Sequence, residues 1–500
     1  MKELNSEHII LVSIPRLTVD GAPLSIAQLK PGIIDAGFDC TCVDVNIKLR
    51  DYLTFEQFLE IDNYFQADLR YIGRGGDNKI DFLGFHDNRL QELSCLNQYK
   101  KYIQTETQKI LDLNPTWVGF SVFSVNSVIP AIDFCKEVRK RNDKIKIVLG
   151  GSGVSSFGLG TAANFGEFMI EEDLSDYYIS GEGELSIVEL LKTGIVPPQK
   201  QIDDLDAIGF ADYNDFNLYD YNANGLVYIT GSRGCVRDCT FCDIKSLWKK
   251  YRYRSGEHIA QEVIEAYNKW GSIEFYFTDS LINGNVKEFM KFCKILADEK
   301  DKGNLPDELS FGGQYICRPK HQVKDEHYKI MARAGMYNLS VGIESGSDAV
   351  LADMKKQIKR TDYDFMLEMF SKYGIRTNLL MVVGYPTETE KDFNQTLDMF
   401  KDYKKYSDNG IIWGLNLGKT LVVLPGARLG YESERWDIHW DEDGNWLSRL
   451  NPTLTYNERV KRRIRANRLC EELGYVIKSQ VTTINSMHAI VAGGGYDTIS

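Results

Sequence analysis

The sequence lacks several features that would assign it at once to a class of protein. No apolar run in its 500 residues approaches the ~20 residues that a membrane span needs. The early apolar run HIILVSI ends at Pro15 without a small-residue cleavage site, so it predicts a first strand rather than a signal peptide. The chain has no excess of basic residues, and its net charge is −12. This charge argues against a general affinity for nucleic acid or anionic membranes, although a local basic groove remains compatible with it.

Two series of alternating strand-like and helix-like segments account for most of the chain, which predicts an α/β protein. Residues 1–195 carry apolar strands that end in glycine or serine turns, as in a Rossmann-like doubly wound domain, but lack the G-x-G-x-x-G pattern of dinucleotide sites. Residues 196–225 are polar and aperiodic and predict a linker. Six further units in residues 226–430 predict a partial (β/α)6 barrel. Residues 431–500 predict a small, mostly helical segment with a mobile glycine-rich tail.

Three of the ten cysteines, Cys235, Cys239 and Cys242, lie within eight residues of the segment YITGSRGCVRDCTFCDIK. Thiolate is a soft ligand that iron and zinc select, but a structural zinc site needs four ligands. The next Cys and His in the sequence are His258 and Cys293, which are not close neighbours. Three thiolates on a four-iron cubane would leave one iron open to an exogenous ligand, whereas clusters held by four cysteines only transfer electrons. The alternative is a set of three structural cysteines.

This cysteine spacing, with Phe241 just before the last thiol, resembles the signature of radical S-adenosylmethionine (SAM) enzymes. The resemblance implies a [4Fe-4S] cluster whose open iron is chelated by SAM, and a 5′-deoxyadenosyl radical formed by one-electron cleavage. It also implies an electron donor such as flavodoxin or ferredoxin. The length of the chain and its scattered cysteines predict a cytoplasmic protein without disulfides. Arg233 and Arg237 flank the cysteines, where positive charge favours thiolate, although Arg237 could equally be a solvated loop residue.

Later segments resemble the SAM-binding strand ends of the same superfamily. The resemblance implies that Glu344 and Ser345 bind the ribose or amino group, and that Gly384 allows close approach to adenine. Relatives often carry two acidic residues where this chain has Asp279 and Ser280, so a role near the methionine amine is implied for position 279 alone. The resemblance also implies two polar SAM-binding residues, Gln314 and Arg318, of which the arginine would pair with the SAM carboxylate. Each could alternatively be an ordinary polar residue that lines the barrel.

The order of segments in residues 1–195 resembles the cobalamin-binding domain that precedes the radical domain in one class of these enzymes. The cofactor's nucleotide tail would need small residues at strand ends, and six positions supply them: Ser121, Gly150, Gly151, Ser152, Gly181 and Gly183. The D-x-H-x-x-G motif that ligates cobalt in some cobalamin proteins is absent, because Asn46 stands two positions after Asp44 where the motif has histidine. A Rossmann-like domain used only for substrate binding or packing is the alternative.

The function that we predict from these resemblances is cobalamin-dependent methylation of an unactivated carbon in a small-molecule substrate that the sequence does not identify. The alternative is a radical cyclisation or rearrangement with cobalamin as redox partner or absent. A non-catalytic iron–sulfur protein is a third hypothesis. Methylthiotransferases need a second three-cysteine site, which the other cysteines do not form; we expect Cys40 and Cys42 to pack in the core. The basic residues of RVKRRIRANR predict a solvated helix face, and closure of the barrel mouth or contact with an acidic substrate is the alternative.

Overall fold

The structure, a computed structural model, describes residues 7–15, 19–65, 82–91, 93–155, 164–418, 420–442 and 444–478. Two compact units make up the chain, Met1–Asn224 and Gly225–Ser500. The glycine-rich tail predicted at the C-terminus lies outside the described residues.

A five-stranded parallel sheet forms the centre of the first unit. Its strands are β1 (His8–Ser13), β2 (Asp39–Asp44), β3 (Trp117–Ser121), β4 (Lys146–Gly150) and β5 (Tyr177–Ile179). The spatial order is β2-β1-β3-β4-β5, so the order reverses between β1 and β3. Ser13 and Ser121 are paired at the ends of these two strands. Ligands of doubly wound sheets bind at the strand carboxyl ends near such a reversal. The Rossmann-like prediction is therefore confirmed.

Helices pack against this sheet and bury two separate apolar clusters. The helices are α1 (Leu24–Ala27), α2 (Lys30–Asp35), α3 (Val45–Tyr52), α4 (Phe55–Phe65), α5 (Phe82–Gln91), α6 (Leu96–Asp112), α7 (Val128–Arg141), α8 (Phe165–Glu171) and α9 (Gly183–Thr193). The spacing of apolar residues in LSIAQLKPGIIDAG predicts one helix over residues 24–37 that ends at Gly37. The structure instead has two short helices there, with Pro31 at the start of α2. Proline lacks a backbone N–H, which favours a helix start at that point.

The stretch predicted as a linker packs onto the first unit through residues 213–221. The Asp215 carboxylate accepts hydrogen bonds from Lys30 Nζ at 2.6 Å and from the backbone N–H of Cys42 at 2.7 Å. The Tyr221 hydroxyl donates to Asp44 at 3.0 Å, and Tyr213 is buried. The acidic residues of this stretch therefore stabilise the first unit, and the aperiodic sequence did not predict these contacts.

The second unit contains a six-stranded parallel sheet whose spatial order follows the chain. Its strands are β6 (Val227–Ile229), β9 (Glu274–Phe277), β10 (Ser310–Tyr315), β11 (Met336–Glu344), β12 (Thr377–Met381) and β13 (Ile412–Asn416), and the small pair β7 (Ser232–Arg233) and β8 (Arg252–Tyr253) precedes β9. Five of the six strands lie within segments that the sequence predicts as strands, and β11 begins two residues before its predicted segment, residues 338–345. A sheet in which each strand pairs with the next along the chain is the partial barrel expected.

Helices connect these strands, and several begin at a residue whose side chain caps the helix. They are α10 (Ile244–Leu247), α11 (Gly256–Trp270), α12 (Val286–Asp301), α13 (Asp325–Ala334), α14 (Asp348–Asp353), α15 (Arg360–Tyr373) and α16 (Glu390–Asp408). Ser255, Asn285 and Thr389 each accept a backbone N–H in the first turn of the helix that follows. Phe277 and Phe311 pack edge-on against Phe292 of α12, so these strands bury their apolar face against the helices.

The C-terminal segment contains helices and a small hairpin. The elements are α17 (Arg428–Tyr431), β14 (Ile438–Trp440), β15 (Trp446–Ser448) and α18 (Tyr456–Glu472). After α18 the chain returns to the barrel sheet, where Ile477 forms a parallel bridge with Leu415 of β13. Among the described residues, no helix is both long and apolar enough to cross a membrane.

Candidate active site at the cysteine loop

Cys235, Cys239 and Cys242 line one small pocket after β7, together with side chains that include Arg237 and Lys245. All three thiols are partly exposed and belong to no disulfide. Within the described part of the chain, no group of three or more His, Cys, Asp or Glu side chains could hold a single metal ion. A cubane cluster places each thiolate on a different iron, and three thiols around a shared pocket fit that arrangement.

Backbone geometry and two buried side chains fix the start of this loop. Gly234 has φ of +87°, and a Cβ there would lie 2.9 Å from the carbonyl oxygen of Lys250, so the position favours glycine. The Asp279 carboxylate accepts hydrogen bonds from the Gly231 N–H at 2.8 Å and from the Ser232 hydroxyl at 2.6 Å. Burial raises the pKa of Asp279 to about 7, against the lowering effect of these two bonds. Asp279 therefore positions the loop, while its predicted role near the methionine amine stays a prediction.

A second set of contacts holds the middle of the loop against the barrel. The Thr240 and Tyr385 hydroxyls lie 2.8 Å apart, and the Thr240 N–H donates to the Met354 carbonyl. Phe241 packs on the apolar cluster that contains Met354 and Trp436. The aromatic residue before the last cysteine therefore anchors the loop, and sequence alone could not distinguish this contact from a contact with cofactor.

Two cations lie close to the thiols. Arg237 is buried and donates to the side-chain oxygen of Gln357 at 2.7 Å, so it is not a solvated loop residue. Lys356 is buried and donates to Glu344 at 2.9 Å. Lys356 also interacts electrostatically with Cys239, which brings the β11 strand end and the cysteine loop together. Cations in this position reduce the cost of gathering thiolates.

Burial is the largest influence on the pKa of two of the three thiols. It raises the pKa of Cys239 to about 11, which Lys356 partly offsets, and the pKa of Cys242 to about 12. Both thiols are therefore protonated at neutral pH in the metal-free protein. Binding of iron has to release these protons, so cluster assembly is expected to couple to pH.

The residues predicted to bind SAM fall into two groups. Glu344 and Arg318 lie near the thiols: Arg318 interacts electrostatically with Arg237 and Cys235, and its Nη2 donates to the Asn283 carbonyl at 2.8 Å. Arg318 Nε is buried and has no hydrogen-bond partner among the described residues. Such an orphaned donor fits an anionic ligand group. The Gln314 side chain is exposed on β10.

Ser345 and Gly384 belong to the other group, because the protein itself contacts them closely. The Ser345 hydroxyl is fully buried and accepts the Ser347 N–H at 3.1 Å. Gly384 lies against a buried arginine of α18, since a Cβ there would be 2.8 Å from Arg459 Cγ. The expected solvated face of α18 is therefore wrong in part: Arg459 and Arg462 are buried and support this strand end.

The small residues predicted in the first unit gather at the carboxyl ends of β3, β4 and β5. Ser121 pairs with Gly150, and Gly150 pairs with Ile179 just before Gly181. A Cβ on Gly150 would meet nothing within 4 Å, so open space lies beside it. The Ser152 hydroxyl donates to the Phe123 carbonyl at 2.5 Å, and Gly183 begins α9. Asp44 caps α3 and accepts from Tyr221, and no histidine follows it.

Sequence reasoning missed Lys356, Gln357 and Glu388 as partners of the site. The pair Lys355-Lys356 after α14 gave no signal of its own, because an isolated pair of lysines is usually solvated. Their partners lie 12 to 120 positions away in the sequence. Such pairings become visible only in the folded chain.

Comparison with known proteins identifies the class of the second unit. Residues 229–400 match the model of the Radical SAM superfamily, and this part of the chain is a radical SAM domain. The prediction made from the cysteine spacing is thereby confirmed, and with it the expectation of a [4Fe-4S] cluster and SAM as cofactors of this class.

Relatives and a solved structure extend the comparison. A Methanocaldococcus jannaschii protein for which methylthiotransferase activity has been suggested is 27% identical over 61% of this chain and 69% of its own length. The anaerobic magnesium-protoporphyrin IX monomethyl ester cyclase of Synechocystis is 22% identical over 53% of this chain and 55% of its own. The radical SAM methyltransferase TsrM of Kitasatospora setae, solved with cobalamin and a [4Fe-4S] cluster, superposes with a TM-score of 0.63 at 16% identity. That match covers 98% of this chain and 99% of TsrM, so the two share a fold.

Proposed function

We propose that this protein is a cobalamin-dependent radical SAM methyltransferase that acts on an unactivated carbon of a small molecule. The observation that carries the proposal is the pocket lined by three thiols and by no fourth cysteine or histidine. When bound there, a [4Fe-4S] cluster supplies the electron that cleaves the sulfonium of SAM. The chain's own part is to hold the thiols, to orient SAM and to keep water from the reacting atoms.

The residues around the pocket divide this work. Asp279 and Gly234 hold the loop in shape, and Arg237 and Lys356 offset the negative charge of gathered thiolates. Arg318, with its unpartnered Nε, would pair with the SAM carboxylate. The other predicted SAM contacts, Glu344, Ser345, Gly384 and Gln314, remain part of this proposal.

The first unit would bind cobalamin at the carboxyl edge of its sheet. The six small residues fit this role because they line neighbouring strand ends and because Gly150 borders open space. When bound, cobalamin supplies the methyl group. The similarity of fold to TsrM, which was solved with cobalamin, supports this assignment. We place the chemistry in the cytoplasm with an electron donor protein, which ten free cysteines support.

A radical cyclisation is the second candidate, favoured by the similarity to the magnesium-protoporphyrin cyclase. Methylthio transfer is less well supported, although four relatives are named as methylthiotransferases or methylthio-adenosine synthases, because six of the seven remaining cysteines are buried and no further group of three appears among the described residues. In the cyclisation candidate, the first unit either lacks cobalamin or uses it for redox chemistry. Absence of cobalamin would therefore favour cyclisation, whereas if cobalamin is bound the transfer of a methyl group to a product separates the two candidates.

The test is anaerobic purification and reconstitution, followed by three measurements. Iron content should correspond to one four-iron cluster, the visible spectrum should show corrin, and dithionite should yield 5′-deoxyadenosine from SAM. Methyl-labelled SAM should then transfer label to a small molecule in a host-cell extract. SAM cleavage without corrin and without label in any product would favour the cyclisation candidate, and Cys239→Ala is the matched control.

A further inference from the structure

Three polar side chains gather around Gly414 of β13 in the second unit. We call them the inner polar site: Asn378, Trp413 and Lys478. A Cβ added at Gly414 would lie 2.8 Å from Asn378 Oδ1 and 3.2 Å from Lys478 Cγ. The Lys478 ammonium lies 5.2 Å from the centre of the Trp413 ring, and the Lys478 N–H donates to the Leu415 carbonyl at 2.8 Å. The glycine therefore leaves the room in which these side chains approach one another.

The strand register places this site on the inner face of the partial barrel. Phe311 packs against α12 on the outer face, so Gln314, three positions later in β10, faces the opposite side. Gln314 pairs with Ser340 of β11, and Ser340 pairs with Asn378 of β12. Paired residues of neighbouring strands share one face of a sheet. Asn378 therefore faces the interior of the barrel, as Gln314 does.

A β-bulge distinguishes Trp413 from the rest of β13. Thr377 pairs with Ile412, but the next residue, Asn378, pairs with Gly414, so Trp413 is the extra residue between them. Bulges change the direction of a side chain and are common beside active sites. The irregularity takes Trp413 out of the regular alternation of its strand.

The polar atoms of the inner polar site lack partners within the described part of the chain. Asn378 Oδ1 and Trp413 Nε1 are buried there without a hydrogen bond, in side chains that are only 2% and 6% exposed. Lys478 forms no ion pair with a described residue, and burial lowers its pKa without an opposing effect from a described anion. Buried polar groups in proteins are normally satisfied, so three unsatisfied groups in one place indicate a ligand.

The hydrogen-bonding capacity of the three groups defines the ligand that would complete them. The Trp413 N–H and the Lys478 ammonium can only donate, whereas Asn378 Oδ1 can only accept. A carboxylate offers two acceptor oxygens and a negative charge to the two donors. An N–H or O–H on the neighbouring carbon offers the donor that Asn378 needs. A phosphate fits less well, because all its charged oxygens are acceptors and one would face Asn378 Oδ1.

We propose that the inner polar site binds the carboxylate end of the substrate, and that this substrate is an amino acid or a hydroxy acid. The inference names the substrate class of the proposed function and rests on it for the reaction. Asn378 lies three residues before the end of β12, which is about 10 Å along a strand. The carbon that receives the methyl group is therefore remote from the carboxylate and nearer to the carboxyl ends of the strands.

The first test needs no turnover. Brief treatment of the holoenzyme with acetic anhydride, followed by mass spectrometry, measures access to the Lys478 amine. The exposed Lys391 is the internal control and corrects for reagent that amines in the sample consume. The concentrated low-mass fraction of a host-cell extract should slow acetylation of Lys478 relative to Lys391 by about threefold, as a ligand at about twice its Kd would. Passage of that fraction over an anion exchanger, which removes carboxylates, should abolish the protection. Absence of protection, or protection that survives the exchanger, would overturn the inference.

The second test compares Lys478→Met and Asn378→Leu with the control Lys391→Met. In the same extract with methyl-labelled SAM, the label transferred per 5′-deoxyadenosine formed should fall about tenfold in both site variants and not in the control. Lys478→Arg, which keeps the charge, should lose less. Iron content and far-ultraviolet circular dichroism check that each variant is folded and loaded. The labelled product should be a carboxylic acid with the label away from the carboxyl group.

The outcomes separate this inference from the proposed function. A wild-type yield of label in both site variants, or a labelled product without a carboxyl group, would overturn the substrate class. Wild-type protein that transfers no label at all would refute the proposed methyl transfer instead. In that case the acetylation experiment still decides whether the inner polar site binds a carboxylate.

Discussion

The ion pair between Arg462 of α18 and Glu388, beside the strand end that carries Gly384, should be costly to break by removing one partner. Both side chains are almost fully buried, at 3% and 1% exposure, and Arg462 Nη1 lies 2.9 Å from both Glu388 Oε1 and the Glu388 carbonyl. The same carboxylate oxygen accepts the Gly384 N–H at 3.2 Å. Loss of one partner leaves a buried charge without compensation, which costs about 3–5 kcal/mol.

We therefore expect Arg462→Met to lower the free energy of unfolding in urea by about 3–5 kcal/mol. The matched control is Arg465→Met, one turn along the same helix, which breaks a half-exposed pair with Glu390 and should cost less than about 1 kcal/mol. The double variant Glu388→Gln/Arg462→Met removes both charges and should recover most of the loss. An equal effect of the two single arginine variants, or no recovery in the double variant, would refute this account.

The pH dependence gives an independent check. Burial raises the pKa of Glu388 to about 7, against the lowering effect of Arg462. The folded state then binds more protons than the unfolded state between about pH 4.5 and 7, so this group contributes less stability as pH rises through that range. Without Arg462 the pKa rises further, and the deficit of Arg462→Met should be smaller at pH 5.5 than at pH 8. A deficit that does not change with pH would contradict the argument.

Three further predictions concern other parts of the chain. Cys239→Ala should abolish 5′-deoxyadenosine formation and lower bound iron while the far-ultraviolet circular dichroism is kept; activity comparable to wild type would exclude its role as a ligand. Gly151→Ala should destabilise the first unit by about 1–3 kcal/mol in urea, because φ is +101° and the new Cβ would lie 2.4 Å from the Val122 carbonyl oxygen, whereas Gly150→Ala, with open space, should cost less. Burial would lower the pKa of His86, but its hydrogen bonds to Asp133 and Asp87 raise it above the ordinary value. The stability that His86 contributes should therefore be lost as pH rises above about 6.5. His86→Leu should flatten this pH dependence of the thermal unfolding temperature.

The elements of both sheets could be predicted from sequence because their signals are local. β1, β3 and β4 are apolar runs bounded by turn residues. The three cysteines of the loop likewise lie within eight residues of one another. The split of residues 24–37 into two helices was missed although Pro31 was visible, because the apolar period continues across it.

The electrostatic partners of the site could not be predicted in the same way. Glu344 with Lys356, Arg237 with Gln357 and Glu388 with Arg462 join segments 12, 120 and 74 positions apart. Isolated charged residues in a sequence are usually solvated, so the basic residues of α18 predict an exposed helix face. Only the fold shows that two of these arginines are buried under Trp446 and Glu388.

The bridge between Ile477 and Leu415 gives the last residues of the described chain a protective role. A barrel that does not close leaves its outermost strand with unpaired backbone groups, and such strands pair readily with other molecules. Residues 476–478 cover part of β13 through backbone bonds from Leu415 to Val476 and from Lys478 to Leu415. Truncation after α18 would expose that strand, and the shortened protein would be expected to self-associate even if its cofactor sites were intact.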